Sequence, residues 1–448
     1  MLSKRSKKII ITLIIIQSIA LIFLALNNSL YTWDEASYLI NALDTTEQLE
    51  PNMQNYVAHE RHPLLSWLIA GTLLLHLPSI FYQLLSLVSL ALLFLLIYKM
   101  GTKFYSQEVG FLAGFILITI PTLVFLSTKI LTDIPGGLLF SFCLYLYYKG
   151  LDQPKYFLWG GFVGGVSIMM RDMNILLVPI LGVFGLIFWR RINKNVYFLS
   201  IPVAILALLP YLLDNYLRWG HPLFRIIKHI EMVQQGIGYQ AFSLQSLPFL
   251  WLIFLPLLIG LPIFILFLQH IYRRRKELFK DKRLQFLLIW FFVPFVIFLV
   301  RQKLTPRLIP IFVIPVLLLG TRELLSKNKR NFRIWLTIIL IVNLFLVGNF
   351  FIYSQVSLSA SHQEAFNFIQ NNIGENETLH SNGSPPSVIA WHTKRTTFFE
   401  LHPDQNSTVT YYLYDGTYEK YAQRTKLDPN NYEVMFENRR YTLYKINS

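Results

Sequence analysis

Only one cysteine, Cys143, occurs in 448 residues, and it lies inside an apolar run. A disulfide framework and a cysteine-based metal site are therefore both excluded. Charge is scarce too: Asp, Glu, Lys and Arg make up 15% of residues against 54% hydrophobic content, with a mean hydropathy of +0.45. A surface facing water on all sides needs more polar residues than that. There is no Gly-rich P-loop and no dinucleotide fingerprint, so nucleotide-cradling folds have no support. No internal repeat and no low-complexity linker is visible.

What the chain does have is apolar runs of membrane length, the mark of a polytopic α-helical membrane protein. Hydropathy places about eleven transmembrane helices, at 9–26, 80–98, 109–126, 133–149, 156–170, 173–189, 196–213, 247–270, 284–300, 307–321 and 333–353. Lys4, Arg5, Lys7 and Lys8 precede the first run, and no small-residue cleavage site follows it. That pattern reads as a retained signal anchor. The apolar stretch 63–78 is too short for a span and reads as an interfacial or re-entrant helix.

The net charge of +15 suggests nucleic acid until its distribution is followed. Residues 354–448 hold 8 Lys and Arg against 10 Asp and Glu, a net of −2, so residues 1–353 carry +17. With the N-terminus cytoplasmic, 23 of the 32 basic residues before 354 fall on inward segments, while ten of fifteen acids fall outward. The positive-inside rule supports this parity and no nucleic-acid partner is called for. It divides the chain into a transmembrane domain, 1–353, with outer loops 27–79 and 214–246, and a small soluble extracytoplasmic α/β domain, 354–448. The tail reads as a helix at 362–372, a strand near 408–414, and a hairpin pairing Tyr432–Phe436 with Tyr441–Ile446.

The outward side collects the chemistry. Asp34 and Glu35 are adjacent, flanked by Trp33 and Tyr38, directly after the first span. A lone acid there is most simply a helix cap; two in a row, with Asn41 at helical spacing, point to function. Asp133 opens the fourth span, where an acid in hydrocarbon costs roughly 2.5–3.5 kcal/mol on insertion scales. Capping a helix ahead of Pro135 would soften that cost. The bases are Arg61 with His62, Lys129, Arg171, and Arg301, Lys303 and Arg307 between the ninth and tenth spans. Singly, each reads as an interfacial side chain reaching for water. Together they form a positive lining suited to phosphate, which Arg binds bidentately.

A carboxylate base, fixed cations, access from lipid and no nucleotide motif fit one reaction class. Outside the cytoplasm an activated sugar can be supplied on a polyprenyl phosphate. That phosphate departs as a stable anion held by Arg or Lys, without needing a proton. What remains is to take the acceptor hydroxyl proton, work for one carboxylate. A single displacement inverts the anomeric carbon, since retention would need a second carboxylate as nucleophile. Asp34 is the first choice as base.

These residues resemble the GT-C membrane glycosyltransferases, nearest glycosyltransferase family 39, with its protein O-mannosyltransferases and lipid A aminoarabinose transferases. Trp33-Asp34-Glu35-Ala36-Ser37-Tyr38 looks like the family's first-loop motif, whose leading Asp is its proposed base. Glu60-Arg61-His62-Pro63-Leu64-Leu65-Ser66-Trp67-Leu68 is similar to its acid–basic–Pro-Pro-Leu stretch, with His62 in place of the first Pro. Asn215 to Phe224 and Gln302 to Pro310 resemble two later elements, with Leu308 in place of an aromatic, and Thr132-Asp133 matches a second acid in relatives. The likeness implies a dolichyl- or undecaprenyl-phosphate monosaccharide donor, mannose being the commonest. The acceptor would be a protein, glycan or lipid, and no resident cofactor is implied. Two rivals stand beside it. Oligosaccharyl transfer shares the fold but uses a divalent cation, which Asp34 with Asp133 could imitate. A transporter or flippase would place charges at mid-bilayer and show inverted repeats; here they gather at the outer rim.

Overall fold

A computed structural model describes residues 4–26, 33–49, 61–228, 250–301, 306–351, 357–374, 377–381, 386–393, 396–399, 411–415, 432–438 and 441–446. Two compact units emerge: 1–26 with 62–64 and 83–348, and 27–61 with 65–82 and 349–448.

The first unit is a helical bundle. Each of the eleven apolar segments is helical through most of its described residues, but fewer than eleven of the helices are long and apolar enough to count as unbroken crossings. Among the described residues four helices are long and apolar enough to cross a membrane: Leu85–Phe104, Lys194–Trp219, Lys282–Leu299 and Ile309–Ser326. A fifth span results if Gln107–Thr119 and Pro121–Ser127, bent by 70°, count as one. Several of the other apolar segments are broken or short for local reasons. Pro121 has no N–H to continue the helical ladder, which breaks the third segment. Gly260, at φ 108°, splits the eighth into Leu250–Ile259 and Leu261–Arg273. Lys155–Met170 has 16 residues, about 24 Å at 1.5 Å per residue, short of a hydrocarbon core of about 30 Å.

Close helix approach depends on small residues. Gly161 and Gly165 lie one turn apart on Lys155–Met170 and face Lys194–Trp219, where added Cβ atoms would come 2.2 Å from the Ser200 carbonyl oxygen and 2.4 Å from that of Ala204. Such small-xxx-small stripes let helices associate where lipid removes the hydrophobic driving force. Gly161→Ala is therefore expected to destabilise the detergent-solubilised chain by about 1–3 kcal/mol, while Gly182→Ala, with nothing within 4 Å of the new methyl, is neutral or slightly stabilising. Thermal unfolding of both variants checks the contrast. Ile309–Ser326 is the most enclosed of the spans, 83% buried, whereas Lys194–Trp219 is 17% buried.

The second unit holds a five-stranded sheet among its described residues, β1 (Thr378–Ser381), β2 (Thr396–Phe399), β3 (Tyr411–Asp415), β4 (Tyr432–Glu437) and β5 (Tyr441–Ile446), in the order β2-β1-β3-β5-β4. β1 runs parallel to both β2 and β3, and β5 pairs antiparallel with β3 and β4. The expected hairpin is present, with a bulge between Val434 and Phe436. Its core follows the periodicities of its elements. Ala365, Phe366, Ile369 and Ile373 form one stripe of the helical stretch that begins at Ser357, and Tyr411/Leu413 and Tyr441/Leu443 alternate inward from β3 and β5. Ala36 belongs to the same core. The Trp33–Thr45 helix of the first loop thus packs with the C-terminal domain, a grouping that hydropathy did not foresee.

Candidate functional site

The candidate residues fall into one group in the second unit and two in the first. Asp34 and Glu35 occupy the first turn of Trp33–Thr45, where the unpaired N–H groups and the helix dipole favour negative charge. Oδ1 of Asp34 accepts a hydrogen bond from the Arg61 guanidinium at 2.5 Å, with the Asp34 side chain 13% and that of Arg61 25% exposed. Glu35 is fully buried, and Ser37 and Tyr38 are buried beside it. Ser66 donates to the Tyr38 carbonyl at 3.1 Å, tying the Trp33–Thr45 helix to the short helix that follows Arg61. Asp34 is thus a partly exposed carboxylate held in place by a cation.

The second group centres on Asp133, fully buried at the start of Asp133–Gly150. Thr132 occupies the N-cap position without a side-chain cap bond, and the Asp133 carboxylate of the next residue is taken up by two guanidinium groups. Arg307 grips it with two nitrogens, Nε to Oδ1 at 2.9 Å and a terminal amine to Oδ2 at 2.9 Å. Arg171 reaches Oδ1 at 3.0 Å and also donates to the Arg307 carbonyl at 3.0 Å. Two glycines open this space: a Cβ on Gly136 would stand 3.1 Å from Cβ of Arg171, and one on Gly137 would stand 2.4 Å from Cβ of Pro310. Asn174 donates to the Gly136 and Ser167 carbonyls and to the Ser167 hydroxyl, locking the turn that carries Arg171.

Two guanidinium groups against one carboxylate give these three side chains a summed charge of +1 in a low-dielectric setting. The Arg171 side chain is 8% exposed, whereas Arg307 is 37% exposed and can meet a ligand. A charge-assisted, bidentate Arg–carboxylate contact is strong and directional, so Asp133 fixes the orientation of both cations.

The third group contains residues that motif reading passed over. His62 stacks on Tyr211 with ring centroids 5.5 Å apart, and the Arg225 guanidinium carbon lies 6.0 Å from the centre of the same Tyr211 ring. Arg225 is paired with Asp214 at 2.6 Å and donates to Oδ1 of Asn215 at 2.7 Å, while Asn215 donates to the Pro222 carbonyl at 2.9 Å. Gly220, at φ 71°, makes the left-handed turn that ends Lys194–Trp219 and brings the chain back on itself. Asn215 and Pro222 stand in a motif noticed in the sequence. Tyr211, Asp214 and Arg225 carried no such signal, except that an acid at a span end with a base eleven residues on, across a glycine turn, can be read as a clasp.

Of the remaining candidates, Lys129 is buried, with its ammonium 5.6 Å from the Phe125 ring. Arg301 ends the Lys282–Arg301 helix; its side chain, Lys303 and Glu60 lie outside the described residues. Among the described residues no three His, Cys, Asp or Glu side chains converge as a metal-binding group would require.

Residues 60–213, from beside Arg61 to just past Tyr211, match the family described as dolichyl-phosphate-mannose-protein mannosyltransferase. No curated protein matches the chain by sequence. Among solved structures, ArnT from Cupriavidus metallidurans bound to undecaprenyl phosphate is similar with a TM-score of 0.71 at 14% identity, covering 97% of both chains. The archaeal oligosaccharyltransferase AglB from Archaeoglobus fulgidus, in complex with an inhibitory peptide and a dolichol-phosphate, is similar with a TM-score of 0.58 at 11% identity, covering 93% of this chain and 70% of that one. At such identities the likeness establishes the fold. The chain therefore has the GT-C fold seen in these solved structures, and its residues 60–213, about a third of its length, match the model of the dolichyl-phosphate-mannose-protein mannosyltransferase family.

Proposed function

We propose that the chain is an inverting glycosyltransferase that moves a monosaccharide, mannose or a similar hexose, from a polyprenyl- or dolichyl-phosphate donor to an acceptor hydroxyl on the extracytoplasmic side. The observation that carries this reading is the buried Asp133–Arg171–Arg307 cluster, one carboxylate orienting two guanidinium groups with a surplus positive charge. Such a surplus, with Arg307 partly exposed, favours a leaving phosphate over a neutral ligand. In the displacement, the bond from the anomeric carbon to the phosphate oxygen breaks and both electrons leave with the phosphate. The acceptor oxygen bonds to that carbon from the opposite face, and Asp34 takes its proton. Arg61 holds the Asp34 carboxylate in place, so its role is positioning. Arg301, Lys303, Lys129 and His62 remain candidates for holding donor phosphate or sugar. The two similar structures hold undecaprenyl phosphate in ArnT and dolichol-phosphate in AglB, which supports a lipid-linked donor in general terms.

Membranes carrying the chain, incubated with labelled polyprenyl-phosphate and dolichyl-phosphate sugars, are expected to transfer label from a monosaccharide donor and to keep full activity after chelation by EDTA. Transfer that requires a lipid-linked oligosaccharide and a divalent cation would instead establish the oligosaccharyl reading. No transfer from any lipid-linked sugar, together with movement of a lipid-linked substrate across vesicles, would establish the flippase.

A further inference from the structure

A second cluster of cations faces a cleft at the other end of the bundle. From Ile309, beside Arg307, the enclosed Ile309–Ser326 helix rises roughly 20 Å to Arg322 at 1.5 Å per residue, so the two clusters are separate. Arg322 lines a cleft of about 150 Å³ with Tyr105, His270, Arg274 and Arg283. An apolar cavity of that size holds a molecule as large as benzene, so a small anionic group fits.

What each cation does there differs. Arg274 is engaged by Glu277, reaching its two carboxylate oxygens at 2.6 and 2.8 Å. Arg283 donates to the Phe104 carbonyl, and its backbone N–H donates to Asp281 at 2.8 Å. His270 stands 3.4 Å from Glu323, which also receives Arg273 at 2.6 Å and Lys327 at 3.1 Å. Arg322 is the exception: its guanidinium carbon is 5.7 Å from the Tyr105 ring centre, and among the described residues it has no carboxylate at ion-pair distance. A half-buried cation with only a ring face for company costs free energy that an anion would recover.

The second observation is the Tyr105 hydroxyl, which is buried and makes no hydrogen bond among the described residues. Burial, and after it the Asp281 carboxylate, pushes the phenol well above its ordinary range, so it remains an O–H donor. A buried donor without an acceptor costs about 1–3 kcal/mol. A guanidinium fork and a lone hydroxyl donor on one cleft call for a group rich in acceptor oxygens and negative charge. The two lining acids leave the cleft cationic, since Glu277 is neutralised by Arg274 and Asp281 is outnumbered by Arg283 and Arg322.

We propose that this cleft binds a phosphate-bearing anion, with Arg322 as its cationic anchor and Tyr105 as its hydroxyl donor. The inference goes beyond the transfer reaction and does not depend on it. The phosphate can belong to an anionic lipid headgroup or be free in solution. Purified full-length chain in neutral detergent distinguishes these. Inorganic phosphate is titrated against chloride at equal ionic strength with thermal unfolding as readout, and phosphatidylglycerol is titrated against phosphatidylcholine with native mass spectrometry as readout. Saturable binding of either probe is expected, weakened about tenfold by Arg322→Gln and about threefold by Tyr105→Phe, while Arg275→Ala, which alters a cation outside the lining, stays within a factor of about two. Response to inorganic phosphate identifies a soluble ligand; response to phosphatidylglycerol alone identifies the headgroup. Absence of both responses overturns the proposal, as do wild-type affinity in Tyr105→Phe or an equal loss in Arg275→Ala. Tyr105→Phe, which removes a single oxygen, keeps the test decisive should Arg322→Gln fold poorly.

Discussion

Replacing Asp34 with Asn is expected to lower sugar transfer by about 10²- to 10⁴-fold, the usual contribution of a positioned general base. The chain should remain folded and membrane-inserted. Asparagine has nearly the shape of aspartate and its oxygen can still accept the hydrogen bond that Oδ1 receives from Arg61 at 2.5 Å. What it cannot do is take a proton from the acceptor hydroxyl. The loss should therefore appear in kcat, with donor KM nearly unchanged, because the substitution leaves the Asp133–Arg171–Arg307 cluster untouched. Glu35→Gln is the informative comparison. Glu35 follows Asp34 on the same helix but is fully buried, so its loss should register in stability more than in kcat. Near-wild-type transfer by Asp34→Asn, with transfer abolished in Glu35→Gln at normal expression, would move the base one residue along the helix.

The second large effect concerns Asp133. Removing one member of a buried ion pair costs roughly 3–5 kcal/mol because the other charge is left without compensation. Here the charges are unequal, so the order of the losses is predictable. Asp133→Ala leaves Arg171, 8% exposed, and Arg307 facing one another with nothing between them. Arg307→Ala leaves Asp133 and Arg171 as a neutral pair at 3.0 Å. Asp133→Ala should thus destabilise more than Arg307→Ala, although each deletes one charge from the same cluster. Joining Asp133→Leu to Arg171→Met should recover part of the loss, and a double-mutant cycle on unfolding midpoints measures that coupling. Activity separates the roles: Arg307→Ala, stable enough to assay, should raise donor KM, since the surplus charge that favours phosphate is gone. Equal destabilisation by Asp133→Ala and Arg307→Ala would contradict the charge count on which this rests.

The parts of this protein legible in its sequence are those set by local pattern. The first turn of Trp33–Thr45 could be anticipated because adjacent acids, an aromatic start and polar residues at helical spacing all fit a helix N-terminus. The β4–β5 hairpin was readable from alternation broken by a polar turn. The apolar segments are helical through most of their described residues, but hydropathy averages over a window and cannot register one missing N–H at Pro121 or one positive φ at Gly260. A count of long unbroken helices among the described residues is therefore lower than a count of apolar windows. Asp133 is visible as an acid in an apolar setting, with a helix cap and a functional role both open to it. Its actual partners lie 38 and 174 residues further on, and no local rule connects them.

Composition and periodicity by themselves determined that this chain is a membrane-type helical protein with a polar α/β tail, and which charged residues needed explaining. Those properties depend on what each residue costs in lipid or in water, a cost that belongs to the residue and its near neighbours. Only the tertiary structure decided that Asp133 binds Arg171 and Arg307, that Arg225 closes on Asp214 and Asn215, and that Ala36 shares a core with Phe366 and Leu443. The reason is that pairing energy falls steeply with distance through space, while separation along the chain leaves no trace of which distant side chains the fold will bring within about 3 Å.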